Sequence, residues 1–145
     1  MNVVTAAVIV RAGKVLISQR LMGSHMEFKW EFPGGKLEAD ETPEECIVRE
    51  IREELDMEIE VIEIYKVVKF KYVEKDILLL CYLCRLLGGE GKRLECNDFK
   101  WVTIDELSGY EFVPADVSVA EKLKNDRLLF ERSIIPQWKK ESTLI

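Results

Sequence analysis

The stretch "ETPEECIVREIREEL", Glu41 to Leu55, decides how this chain is read. Thr42 stands where a helix N-cap belongs, Pro43 fills the first helical position, and Glu45 completes a T-x-x-E capping box. The pattern predicts a helix, with Glu45 serving as a cap. Helical residues advance by about 100° each, so Ile47, Ile51 and Leu55 form one apolar stripe. Glu50, Glu53 and Glu54 crowd a wedge of roughly 100° beside it, with Glu54 at the stripe's border. Like charges three or four positions apart destabilise a helix. Arg49 and Arg52 compensate in part, as they would on an ordinary solvated face. Two features favour another explanation: the glutamates adjoin the buried stripe, and a Gly-Gly loop enters the helix from Gly34. A divalent cation between carboxylates turns repulsion into binding, and magnesium takes hard oxygen ligands together with substrate phosphates.

Upstream of this helix, "NVVTAAVIV" and "KVLISQR" are β-rich runs joined by the hairpin signal "RAGK". A polar loop over residues 21–30 leads to "EFPGGK", whose Pro-Gly-Gly interrupts regular structure. Downstream, "EIEVIEIYKVVKFKYV" and "ILLLCYLCRLL" predict two more strands, linked by the polar turn "EKD". The glycine-rich "GGEGKRLECND" precedes a short strand "FKWV". "TIDEL" repeats the T-x-x-E start, and "ADVSVAEKLK" predicts a last helix after Pro114. The order of elements implies one α/β domain with a mixed sheet over residues 1–132, with residues 133–145 an unassigned tail.

A chain of 145 residues has room for one core. Its net charge of −6 argues against a polymeric nucleic acid partner, whose phosphates need lysine and arginine. The start "MNVVTAAVIVRAGK" lacks the basic opening of a signal sequence, and "ILLLCYLC" is too short to span a bilayer, so a cytoplasmic protein without a membrane partner is expected. Cys81 and Cys84 form a C-x-x-C inside a strand, where positions i and i+3 face opposite ways; zinc or redox use is not expected. His25 is the only histidine and no G-x-S-x-G elbow is present, which disfavours serine-hydrolase chemistry.

From Gly35 the spacing is G-x5-E-x7-R-E-I-x-E-E-x-D-M, with Glu41, Arg49, Glu50, Glu53 and Glu54 in register. This resembles the Nudix box across all 23 positions, with Asp56 where the family has glycine. That glycine ends the helix in a left-handed conformation, which aspartate tolerates better than most residues. "WEFPGGK", "KWVTIDEL" and "FVPAD" extend the resemblance to the MutT and CTP pyrophosphohydrolase branch, over roughly residues 3–125.

The resemblance implies an α/β/α sandwich. It also implies magnesium- or manganese-dependent attack of water on a nucleoside triphosphate, releasing a nucleoside monophosphate and pyrophosphate. It assigns metal binding and catalysis to Glu50, Glu53 and Glu54, with the Gly35 carbonyl and Glu95 as further ligands and Glu50 as general base. It makes Glu41 and Arg49 a structural pair, and places Arg20 and Lys36 beside the phosphates. Asp116 sits where MutT relatives carry an asparagine that reads 8-oxoguanine. An ionised aspartate accepts but does not donate, which favours cytosine N4–H over guanine O6 and hence (d)CTP-like or modified substrates. Asp116 as a plain helix N-cap is the structural alternative. An 8-oxo-dGTP enzyme, a hydrolase of nucleotide sugars or dinucleotides, and a nucleotide sensor without catalysis are the competing functions. The retained glutamates disfavour the sensor. Monomer and homodimer are both compatible with the sequence.

Overall fold

The computed structural model describes residues 1–128, so the tail from Ser133 lies outside the described residues. The elements run β1 (Asn2–Arg11), β2 (Lys14–Gln19), β3 (Trp30–Glu31), β4 (Gly34–Lys36), α1 (Pro43–Leu55), β5 (Glu58–Lys71), β6 (Asp76–Gly88), β7 (Asp98–Thr103) and α2 (Pro114–Asn125). A short 3-10 turn, Asp105–Gly109, follows β7. The sheet has the order β3-β2-β1-β6-β5, with β4 added to β1 and β7 to β2. β1 and β6 run parallel; the other strand pairs are antiparallel.

One helix covers each face of the sheet, which is the expected α/β/α sandwich. Ile47, Ile51 and Leu55 of α1 are fully buried against Ile9, Leu16 and Tyr82. Val119 and Leu123 of α2 are buried against Val8, Ile17 and Leu83 on the other face. Strand alternation sorts the C-x-x-C pair, with Cys81 on the α2 side and Cys84 on the α1 side. Both thiols are free and buried. No helix among the described residues is long and apolar enough to cross a membrane.

Local chemistry places the punctuation. Ala12 and Gly13 both have positive φ, 50° and 76°, the two-residue turn that matches strand twist in a hairpin. The capping box of α1 is closed in both directions: Glu45 N donates to Thr42 Oγ1 at 3.1 Å, and Thr42 N donates to Glu45 Oε1 at 2.8 Å. Thr103 and Glu106 form the same reciprocal pair ahead of the 3-10 turn.

Asp56 ends α1 at φ 53°, ψ 44°, a left-handed C-cap held by aspartate in place of glycine. The last carbonyls of the helix are then satisfied by the glycine-rich loop. Lys92 N donates to the Leu55 carbonyl at 2.8 Å, while Leu94 N and Glu95 N donate to the Glu54 carbonyl at 3.1 and 3.2 Å. The loop is thus tied to the end of the helix that carries the glutamates. Because the left-handed region is strained for aspartate and not for glycine, Asp56→Gly is expected to raise stability by about 0.5–1 kcal/mol. Thermal melting at matched pH and salt measures it.

Candidate active site

Arg49 organises the base of the cluster. Its Nε and Nη2 donate to Glu41 at 2.9 and 2.7 Å, its Nη1 to Glu50 and Glu53 at 2.9 Å each, and Nη2 also to the Lys36 carbonyl at 3.2 Å. Glu41 and Arg49 form the expected structural pair, and the guanidinium holds the Glu41 carboxyl down to about 2. Glu50 and Glu53 are taken up by the same guanidinium. Arg49 engages two of the three glutamates, while Glu54 faces the cleft with its carboxyl in contact with that of Glu50. Among the described residues, no three histidine, cysteine or acidic side chains already surround a common point as metal ligands do.

A cleft of about 330 Å³ opens beside Glu54, lined also by Glu31, Glu95, Arg20, Lys36 and Asp116. Burial pushes Glu54 well above the usual carboxylate range, and the charges of Glu31, Glu50 and Glu95 push it further. Glu50 is raised in the same way, chiefly by burial, against the lowering pull of Arg49. The donor set fits a divalent cation: the carboxyls of Glu54, Glu31 and Glu95 line one cleft, and an ion there would favour their ionised forms. Glu95 reaches this cleft because its own backbone N–H caps the Glu54 carbonyl.

The glycine pair places the strand next to the cluster. A Cβ on Gly34 would stand 2.0 Å from the Thr5 carbonyl oxygen, and one on Gly35 would stand 2.3–2.6 Å from the Glu50 carboxylate. The Gly35 carbonyl, expected to face a metal, accepts from the Thr5 hydroxyl of β1 at 3.2 Å and from the Cys46 thiol of α1 at 3.8 Å. Carbonyls alternate along a strand. The Pro33 carbonyl accepts from Ala7 N on the β1 side, and the Lys36 carbonyl faces Arg49 on the α1 side. By that alternation the Gly34 carbonyl turns away from β1, which makes it a candidate backbone ligand.

At the other end of the cleft, Asp116 is 5% exposed and accepts from Phe32 N at 2.8 Å. It does not cap α2: Val113 holds the N-cap position without a side-chain bond, and Pro114 begins the helix. Asp116 therefore lies in the first turn with its carboxyl turned inward. Burial, reinforced by the charge of Glu31, pushes it up to about 8. This overturns the expectation of an ionised aspartate at neutral pH. Glu31 was not singled out in the sequence. It is itself raised by burial and is paired with Arg20 at 3.1 Å. Arg20 also donates to the His25 carbonyl at 2.6 Å, so its guanidinium is anchored beside Glu31. Lys36 remains exposed at the mouth.

A mixed sheet between two helices, with a glycine turn feeding an acid-rich helix at the edge of a cleft, defines a Nudix hydrolase. The chain belongs to the Nudix family: the NUDIX domain model matches residues 1–123. It is an enzyme of the MutT and CTP pyrophosphohydrolase-like branch, acting on nucleotides, in a family that generally uses a divalent metal. It is 32% identical over 111 residues to the 8-oxo-dGTP diphosphatase of Escherichia coli (strain K12), covering 77% of this chain and 86% of that one. It is 35% identical over 118 residues to the CTP pyrophosphohydrolase of the same organism, covering 81% and 87%. The solution structure of the E. coli ORF135 protein superposes with a TM-score of 0.77 at 32% identity, covering 93% of this chain and 95% of that one.

An acid whose pKa is higher in the folded than in the unfolded state binds its proton more tightly when folded. Asp116 therefore costs stability as pH rises from about 4, the unfolded value, to about 8. Asp116→Asn keeps an acceptor for Phe32 N and removes that cost. Its melting temperature relative to the parent is expected to climb across this window, by an amount worth at least about 1 kcal/mol at pH 8. A constant difference between pH 5 and pH 8 would show that Asp116 is not held neutral.

Proposed function

We propose that this Nudix hydrolase is a magnesium-dependent nucleoside triphosphate pyrophosphohydrolase of the cytoplasm, with residues 1–132 as its catalytic unit. It cleaves (d)CTP-like or oxidised deoxynucleoside triphosphates to the monophosphate and pyrophosphate. The observation that carries this reading is the single cleft that joins an acid cluster, at Glu54 and Glu95, to a buried hydrogen-bonding carboxyl, Asp116. One end suits a metal-held phosphate chain and the other a base. Glu50, Glu53, Glu54 and Glu95, with the Gly34 carbonyl, would hold magnesium or manganese. When bound, the ion neutralises phosphate charge and makes water more acidic.

The protein's own groups divide the remaining work. Lys36 at the mouth and the anchored Arg20 offer donors to phosphate oxygens. Glu50 takes the proton from the attacking water; its raised pKa makes it a stronger base than a free carboxylate. Arg49 orients Glu50 through the 2.9 Å contact, and Glu41 holds Arg49 in place.

Base selection follows from the protonation of Asp116. A neutral carboxyl donates through O–H and accepts through C=O. It therefore matches the N3 and N4–H edge of cytosine and equally the O6 and N1–H edge of an oxidised guanine. That match keeps both substrate classes in the proposal at neutral pH, where an ionised group would repel O6. Above pH 8 the carboxyl only accepts, and cytosine N4–H still satisfies it.

Two experiments test this reading. In the first, pyrophosphate release is followed with magnesium for Glu50→Gln and Glu54→Gln. Each change is expected to lower turnover by roughly 10²–10³-fold, the scale of one lost transition-state contact. Magnesium should raise the melting temperature of the parent but not that of the Glu50/Glu53/Glu54 triple glutamine variant. Near-full turnover by Glu54→Gln would remove the metal site from this cleft. In the second, kcat/KM is measured for dCTP, 5-substituted dCTP and 8-oxo-dGTP between pH 6.5 and 9. The cytidine-to-oxoguanine ratio is expected to rise across about pH 8 in the parent and to lie flat and lower in Asp116→Asn. A ratio that ignores both pH and the substitution would take base reading away from Asp116.

A further inference from the structure

A neutral Asp116 carboxyl fits two base edges equally well, so discrimination between them falls to its neighbours in the cleft. One of these is Tyr72, in the turn between β5 and β6, which lines the same cleft. Tyr72 N donates to the Lys75 carbonyl at 2.9 Å and closes the hairpin. Its ring centre lies 4.7 Å from that of Phe70, and His25 meets it edge-on at 6.4 Å. Aromatic contacts therefore hold the ring from two sides.

The hydroxyl supplies what the start of α2 lacks. Val113 makes no side-chain cap and Pro114 has no N–H, so Ala115 carries the first N–H of the helix that needs an acceptor. It donates to the Tyr72 hydroxyl at 3.1 Å, while the next N–H, of Asp116, reaches the Val113 carbonyl at 3.0 Å. The phenol oxygen is thus committed to the helix one residue before Asp116. Its own proton is taken by no group among the described residues. Burial raises the phenol above its usual range, so that proton stays on at neutral and mildly alkaline pH.

We propose that Tyr72 determines specificity: its O–H donates to cytosine O2 beside the Asp116 carboxyl and favours cytidine nucleotides over oxidised guanine. The assignment rests on base reading by Asp116. Cytosine presents N4–H, N3 and O2 in a row; the first two suit the neutral carboxyl, and O2 is left to accept from a further group. 8-Oxoguanine offers O6 and N1–H to the same carboxyl, but flanks them with N2–H on one side and N7–H on the other. Both flanking groups are donors. Because Ala115 N already occupies the phenol oxygen, Tyr72 meets them as a donor too. The hydroxyl therefore completes the match to one base and sets donor against donor on the other.

The assignment is tested by kcat/KM for dCTP, 2-thio-dCTP and 8-oxo-dGTP, with magnesium at neutral pH, in the parent, Tyr72→Phe and Asp116→Asn. The parent is expected to prefer dCTP to 2-thio-dCTP, because sulfur is the weaker acceptor at that position. Tyr72→Phe is expected to move the dCTP to 8-oxo-dGTP ratio about five- to tenfold toward the purine, the worth of one hydrogen bond. It should also erase the preference for dCTP over 2-thio-dCTP. Loss of the cap on α2 alone would lower the melting temperature and weaken both bases alike, with the 2-thio preference intact; that result overturns the proposal. So does a parent that treats dCTP and 2-thio-dCTP alike, a measurement that needs no variant to fold. If Asp116→Asn shifts the base ratio and Tyr72→Phe does not, the Asp116 reading stands and the role of Tyr72 falls. A ratio that neither substitution moves, or a chain that cleaves none of the three, removes both.

Discussion

The rest of the structure depends on one guanidinium. Arg49 binds Glu41 in the loop before the helix, Glu50 and Glu53 on the helix itself, and the Lys36 carbonyl at the end of β4. Its planar fork stays charged at every accessible pH and satisfies several acceptors from one position, which a lysine ammonium would do less well. The burial that packs α1 onto the sheet would otherwise press its carboxylates together under a tight glycine turn. Arg49 compensates Glu50 and Glu53 and does not reach Glu54. The fold thus leaves Glu54 out of reach of that guanidinium at the wall of the cleft, where burial and the charges of Glu31, Glu50 and Glu95 raise it well above the usual carboxylate range.

The position of Glu54 also explains how the distant loop joins the site. The carbonyl of Glu54 closes the helix by accepting from Leu94 N and Glu95 N, while its side chain faces the cleft. Glu95 therefore arrives beside Glu54 through main-chain bonding that any sequence could supply at that point. Gly91 permits the loop's approach, since a Cβ there would stand 2.6 Å from the Met57 methyl carbon and 2.7 Å from the Phe99 ring. The placing of Glu95 at the cleft and the termination of the helix are one arrangement here.

What the sequence shows about this site is what is local. The capping box, the stripe of Ile47, Ile51 and Leu55, and the spacing of the glutamates each rest on contacts within a turn or two. All of them are present in the fold. What depends on a partner strand was out of reach. The direction of the Gly35 carbonyl follows from pairing with Thr5, and the bulges at Ile62 and Tyr65 follow from the register with β6. For Asp116 a helix cap was the alternative to base reading, because aspartate favours that position. The helix instead begins at Pro114, and the first-turn position turns the carboxyl toward Phe32 N. Glu31 carried a faint signal: in "WEFPGG" it is a charged residue between two aromatics that are both buried. Its pairing with Arg20 across the strands is not visible along the chain.

Magnitudes explain why the helix tolerates such a cluster. Repulsion between like charges at helical spacing costs about 0.2–0.5 kcal/mol per pair. Full burial of a large aliphatic side chain contributes roughly 1.5–3 kcal/mol, and α1 buries three of them completely, at Ile47, Ile51 and Leu55. The apolar face outweighs the acidic face several-fold, so the charges do not threaten the helix that carries them. The cluster shows itself in proton affinity: burial, with the charges of neighbouring carboxylates, raises Glu54 and Glu50 while the backbone beneath them stays regular. A cation drawn to the cleft would favour the ionised carboxyls and so add to the stability of the folded chain, on a helix already fixed by its opposite side.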